Sequence, residues 1–466
     1  MTVQERIDWL DEARIGAALA RADHVEDAAQ VREILSKART LGGLSEDDVA
    51  VLLSVKDPAL THELYDAARF VKTEIYGPRI VLFAPLYFSN ICTNECVYCA
   101  FRRSNHELDR KVLSMDEIEA ETAALIDQGH KRLLLIGGEA FPKGGFQYLI
   151  DAIERIYSVK RGRGEIRRIN INVAPLSVDQ FRQLKAAQIG TYQLFQETYH
   201  RKTYAEMHLD GPKADFDWRA SAIDRAMEAG IDDVGLGPLF GLADWRFEVL
   251  ALMQHIAHLE AKFGVGCHTI SAPRMEPAVG SEVSLHPPHL VSDEDFKRIV
   301  AILRLAVPYT GLIMSTRETP EMRRETLELG VSQISGGSRT NPGGYATPAE
   351  EQAAQFTRGD HRSLDEVVRD VAACGHVPSF CTACYRMGRT GADFMDLAKP
   401  GLIREMCGPN AISSFMEYML DYGSGDTNAA GERAIAGEVA TMEPKLKRYS
   451  ETMMRKVREG KRDVFR

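Results

Sequence analysis

Six of the eight cysteines in this chain fall into two groups whose spacing suits thiolate-bound metal or redox chemistry better than a disulfide framework. The first is Cys92-Thr-Asn-Glu-Cys96-Val-Tyr-Cys99; the second is Cys381-Thr-Ala-Cys384, with Cys407 another 23 positions along. A cubane iron–sulfur cluster normally takes four thiolates. Three close cysteines hold three corners and leave one iron open to a substrate or cofactor. Zinc is the alternative at each group. It wants four ligands, no nearby His completes the first set, and Cys374 would be the fourth thiol of a knot at the second. Cys267 reads as packing, because it precedes His268 and in a strand would point to the opposite face.

The elements that position these groups follow from periodicity. Residues 1–75 read as a helical extension, with apolar positions at helical spacing around Val31 and Val49. From Arg79 onward, short apolar runs alternate with amphipathic stretches. The runs begin at Arg79, Arg132, Arg168, Thr191, Asp233, His268, Gly311 and Val331, and the stretches include Met115–Gln128, Phe247–Lys262 and Asp293–Leu305. Alternation of strands and helices implies a parallel sheet. Eight such units over residues 76–345 suit an α/β fold of the (β/α)8 TIM-barrel type, with a doubly wound open sheet as the competing architecture. A barrel demands that reactive residues follow strands. The first cysteine group does so, directly after the first strand. Residues 346–466 read as a mainly helical segment carrying the second group, with a helical run at Ile412–Leu420.

Composition narrows the class of function. The chain has 466 residues, 44% hydrophobic and 27% charged, with a net charge of −10. That is ordinary globular composition, and an acidic balance without a long basic run argues against a nucleic acid partner. No stretch approaches the ~20 apolar residues of a membrane helix. The first ten residues lack the apolar core of an export signal. A soluble, cytoplasmic protein with no membrane partner is the expectation.

The first cysteine loop resembles that of the radical S-adenosylmethionine (SAM) enzymes. The resemblance implies a [4Fe-4S] cluster on Cys92, Cys96 and Cys99, whose open iron binds the amino and carboxylate groups of SAM, with Tyr98 packed beside that cofactor. One electron from the cluster then breaks the sulfonium and yields a 5′-deoxyadenosyl radical. Gly137-Gly138-Glu139, after the second strand, is similar to the family's Gly-Gly-Glu motif, which meets the methionyl amino group; an ordinary turn is the plain alternative. Glu197, ending the fourth strand, would touch the cofactor or else be a salt-bridged barrel residue.

The chain further resembles the tyrosine-cleaving radical SAM lyases of hydrogenase maturation. The residues that carry this are Phe101-Arg-Arg-Ser-Asn105, Val173-Ala-Pro, Gln196-Glu-Thr-Tyr199, His268-Thr-Ile-Ser, Ile334-Ser-Gly-Gly-Ser-Arg339-Thr, Cys384-Tyr-Arg-Met-Gly-Arg-Thr-Gly and Cys407-Gly-Pro-Asn410-Ala. This likeness implies cleavage of the Cα–Cβ bond of L-tyrosine to p-cresol and dehydroglycine. The latter would become carbon monoxide and cyanide for the [FeFe]-hydrogenase H-cluster. It also implies an auxiliary [4Fe-4S] cluster on Cys381, Cys384 and Cys407, with an extra labile iron (a 5Fe form), a free cysteine and His268 as ligand. Arg339, in preference to Arg317, is the candidate for the tyrosine carboxylate, and an ion pair with a neighbour such as Glu318 is the alternative for either. Arg386 and Arg389 would stabilise the second cluster or simply lie on the surface. Implied partners are a reductant such as ferredoxin or flavodoxin and other hydrogenase maturases. A thiamine-pathway type of 2-iminoacetate (dehydroglycine) synthase, or a lyase acting on another amino acid, is the alternative reading.

Overall fold

A computed structural model of the chain describes residues 6–23, 27–347 and 353–466. Eight parallel strands run β1 (Arg79–Ser89), β2 (Arg132–Gly137), β3 (Arg168–Asn172), β4 (Tyr192–Gln193), β5 (Val234–Leu236), β6 (Thr269–Ser271), β7 (Gly311–Met314) and β8 (Gln333–Ser335). Each pairs with the next. β8 then pairs back on β1 through Val81↔Gln333 and Phe83↔Ser335, so the sheet closes and the open doubly wound alternative is ruled out. A ninth strand, β9 (Val377–Ser379), joins the outer edge of β1 at Arg79–Val81 and feeds directly into Cys381.

All eight expected strands are present, several shorter than the apolar runs that suggested them. β4 is two residues long because the Asn170 side chain, not a strand partner, takes the Thr191 N–H at 3.1 Å, and Glu197 turns to φ 72° soon after. His268 lies just before β6 rather than within it, although its N–H and C=O still bond to Val234 and Gly311.

The last expected helix is longer than its sequence pattern. It spans Ile403–Asp421 and runs through Pro409, which cannot donate to the Glu405 carbonyl. The Arg466 guanidinium donates to that oxygen instead, at 3.1 Å. Cys407 is therefore held on a continuous helix. Side-chain caps start the barrel helices: Ser114 with Glu117 before Met115–Asp127, and Ser177 with Gln180 before Val178–Ala186. The N-terminal helices pack on the barrel wall, with Trp9 stacked on His255 at 4.3 Å.

Among the described residues no helix is long and apolar enough to cross a membrane. Deep in the wall, the fully buried Arg304 donates to the carbonyls of Pro308, Thr310 and Gly330 at 2.7–3.1 Å. Arg304→Leu would strand those acceptors. It is expected to cost about 3 kcal/mol or more, read as a lower midpoint in urea unfolding with an unchanged m value.

Candidate active site: two chambers in one barrel

The loop that follows β1 has no strand partner along most of its length, so side chains satisfy its backbone. The Arg110 guanidinium donates to the carbonyls of Asn90, Phe101 and Asn105 at 2.8–2.9 Å, and Asn105 Nδ2 donates to Ala100 and Val279. This curls the chain so that Cys92, Cys96 and Cys99 line one wall of a large cavity at the C-terminal mouth of the barrel. The N–H groups of Asn94 and Phe101 point at the sulfurs of Cys92 and Cys99, at 3.5 and 3.4 Å. Burial raises all three thiols above the ordinary range, Cys99 to about 11. A metal bound there would replace the proton that burial retains. Tyr98 lines the same cavity and bonds His208 Nε2 at 2.8 Å; burial, with Lys213 adding to it, keeps that imidazole neutral.

Gly137 and Gly138 close the far side of the loop. A Cβ on Gly138 would lie 2.2 Å from the Ile91 carbonyl oxygen, and one on Gly137 would enter the Phe88 ring. The two glycines are required here by the approach of the protein's own backbone and ring. Glu139 and Glu197 both line the cavity and share two cations that the sequence did not single out, Lys213 and Arg219. Lys213 Nζ is 2.6 Å from Glu197, and Arg219 Nη1 is 2.8 Å from Glu139. Asn94 Nδ2 adds a hydrogen bond to Glu139 at 2.9 Å. Burial pushes the Glu139 carboxyl up, but the Arg219 and Lys213 charges outweigh it and hold the group near 2. Both cations lie beyond β4 in a segment whose pattern gives no sign of barrel-facing residues.

The two arginines separate. Arg317 lines the cavity with its guanidinium on the Phe356 ring, 3.4 Å from the centroid; its backbone N–H donates to Ser315 Oγ, but the guanidinium has no hydrogen bond or ion pair among the described residues. Glu318, its expected partner, binds Arg274 instead, at 3.0 Å. Arg339 lies outside the cavity lining, and its N–H donates to the Tyr345 hydroxyl.

A second, smaller cavity occupies the N-terminal mouth of the same barrel. Cys381, Cys384, Cys407 and His268 line it together with Arg79, Arg132 and Arg389. Cys374 is exposed and apart from it, and Cys267 is buried in the apolar core. Ala383 N–H points at Cys381 Sγ at 3.4 Å, as in the first group. Cys384 and Cys407 are close enough to compete for one proton: Cys384, with Arg79 and Arg389 assisting, lowers the Cys407 thiol against burial, while Cys407 raises that of Cys384. His268 packs on Phe394, and its buried Nδ1, 3.7 Å from Asp233, has no hydrogen-bond partner among the described residues. Arg389 faces this chamber, while Arg386 turns away to pair with Asp463 at 2.6 Å.

Alternate residues along the strands serve the two chambers. Val81, Arg132, Gly311 and Gln333 face the second, whereas Phe83, Leu134, Ile313 and Ser335 face the first. Phe83, Leu134 and Ile313 form a small apolar cluster between them. Among the described residues no three His, Cys, Asp or Glu side chains converge as ligands of a single ion.

A closed parallel barrel with a three-cysteine loop after its first strand defines a radical SAM protein, and residues 86–251 match the Radical SAM superfamily, with 271–377 matching the Biotin and Thiamin Synthesis associated domain. The 2-iminoacetate synthase of Escherichia coli (strain K12) is 33% identical over 374 residues, which is 80% of this chain and 93% of that protein. A crystal structure of HydG, a maturase of the [FeFe]-hydrogenase, superposes with a TM-score of 0.95 at 46% identity, covering 99% of this chain and 100% of that one. The HydG of Carboxydothermus hydrogenoformans gives 0.83 at 42%, covering 95% and 97%. The chain belongs to the radical SAM superfamily and, within it, to the family that these HydG maturases represent. Its cofactors accordingly include a [4Fe-4S] cluster and SAM.

Two substitutions test the first chamber. Gly138→Ala should push the Cys92 loop off its seat, read as lower iron retention in the folded protein. Because the Glu139 carboxyl sits below its ordinary value, its contribution to stability is complete above about pH 4.5 and lost on acidification toward about pH 2. Arg219→Leu should move the acid-unfolding midpoint upward.

Proposed function

We propose that the chain cleaves L-tyrosine to p-cresol and dehydroglycine in the first chamber and converts the latter to carbon monoxide and cyanide in the second. The observation that carries this is one barrel with a three-thiol set at each mouth. Cys92, Cys96 and Cys99 would hold the cluster that binds SAM, and Cys381, Cys384 and Cys407 an auxiliary cluster. His268, with its bare Nδ1, suits an additional labile iron, because neutral imidazole is a good iron ligand. When bound, the first cluster supplies the electron that converts SAM into a hydrogen-abstracting radical.

The chain's own residues do the rest. Glu139 and Glu197, each ion-paired with Arg219 or Lys213, present carboxylates toward the SAM amino group and ribose. Tyr98 walls the cofactor site. Arg317, stacked and otherwise unbonded, offers a guanidinium to the tyrosine carboxylate, which it can grip bidentately. Placement at the cavity wall favours Arg317 over Arg339 for that task. Apolar walls exclude water from a radical that would otherwise attack it. Dehydroglycine, released inside the barrel, has the second chamber directly behind the Phe83–Leu134–Ile313 cluster. Cys381, Cys384, Cys407 and His268 would hold the iron there, which would supply ligation sites for carbon monoxide and cyanide, both strong iron ligands. A low-potential reductant and the other hydrogenase maturases are the partners this reading requires.

Anaerobic reconstitution with SAM, dithionite and tyrosine tests the proposal by assay of all three products. The expected result is p-cresol, carbon monoxide and cyanide. Cys381→Ser combined with Cys384→Ser should retain p-cresol and abolish carbon monoxide. Arg317→Ala should raise the tyrosine KM by roughly 100-fold, the scale of a lost charge-assisted pair. No p-cresol from the unmodified protein would overturn the reading.

A further inference from the structure

The first chamber holds more charge than the mechanism above uses. Glu139, Glu197, Lys213 and Arg219 pair with one another, which leaves two charged side chains on the cavity wall without a hydrogen bond or ion pair among the described residues: Arg317 and Glu276. They belong to neighbouring loops, after β7 and β6, and the structure ties those loops together. Phe356, the ring under Arg317, is followed by Thr357, whose N–H donates to the Pro277 carbonyl at 2.8 Å. On the other side of Glu276, the Met275 N–H donates to Phe240 at 2.9 Å. Glu276 is thus pinned on both flanks, and the following proline further restricts its backbone.

A cation and an anion on neighbouring loops of one cavity complement the zwitterion of an amino acid. We propose that Glu276 binds the α-ammonium group of the substrate and accepts one proton from it, giving a protonated carboxyl and a neutral amine from which hydrogen is abstracted. The step moves one proton, from nitrogen to a carboxylate oxygen, and needs no further reagent. It rests on the tyrosine reading above for the identity of the substrate.

The surroundings suit a group that must both release and accept a proton at neutral pH. Burial pushes the Glu276 carboxyl up to about 7, against the lowering effect of Arg317; Glu318 beyond β7 raises it, Arg274 on its own loop lowers it, and Asp293 at the head of helix Asp293–Ala306 raises it. A base with its pKa near the operating pH is the most effective kind. Ionised Glu276 is the working form, so activity should rise with pH through about 7.

The test uses the full chain reconstituted anaerobically with iron, sulfide and SAM. Calorimetry compares tyrosine with 3-(4-hydroxyphenyl)propanoate, which keeps the ring and carboxylate and lacks the amine. The unmodified enzyme is expected to prefer tyrosine by 10-fold or more. Glu276→Gln should erase that preference, lower kcat for p-cresol by roughly 100-fold and flatten the rise through neutral pH. Glu276→Asp, which keeps the carboxylate, should recover part of both the preference and the pH dependence; a purely structural role would predict neither. A Glu276→Gln enzyme with unaltered amine preference and unaltered pH profile overturns the inference. Absence of p-cresol from unmodified enzyme refutes the tyrosine reading alone. The clamp is then decided by phenylalanine against 3-phenylpropanoate, with equal binding of the two counting against it.

Discussion

Strand β1 is the member on which the other parts hang. It is eleven residues long where its neighbours have two to six, and every residue after Arg79 is buried. Its first half pairs with β8 and β9, and its second half with β2. Closure of the barrel therefore depends on β1. So does attachment of the C-terminal segment, because β9 leads straight to Cys381. At its far end β1 releases the chain into the loop bearing Cys92. Each thiol group is positioned by one end of β1, and the register of β9 on Arg79–Val81 sets the second group at the mouth opposite the first.

Within that frame the two mouths solve the same problem differently. The first cysteine loop is irregular and hangs on side chains, chiefly Arg110, Asn90 and Asn105, which satisfy carbonyls that no strand reaches. The second group uses a short turn after β9 plus one helix, with Cys407 delivered by a helix that tolerates Pro409 because Arg466 covers the freed carbonyl. Charge differs too. The first chamber pairs its acids with two buried cations, whereas the second has Arg79, Arg132 and Arg389 around its thiols, an environment that favours the negative charge of thiolate-bound metal.

Much of this was legible in the sequence, for identifiable reasons. The eight strands showed as apolar runs because both faces of a parallel barrel strand are buried. The cysteine groups showed because their chemistry demands near neighbours in the chain. Lys213 and Arg219 did not show, since their partners Glu139 and Glu197 come from other strand ends and a long-range ion pair leaves no local pattern. The glycine pair before Arg339 favoured that residue over Arg317 in the sequence, whereas it is Arg317 that lines the cavity wall. The long helix through Pro409 was hidden for a similar reason, as its compensating donor is the last residue of the chain. Glu276 gave no signal at all, being one acid in an unpatterned loop.

The two-residue alternation of the strands has an evolutionary corollary. Because Val81 and Phe83, or Arg132 and Leu134, address different rooms from the same strand, either room can be re-lined without disturbing its counterpart. A barrel built in this way could gain or shed a whole compartment at its floor, leaving the ceiling chemistry intact.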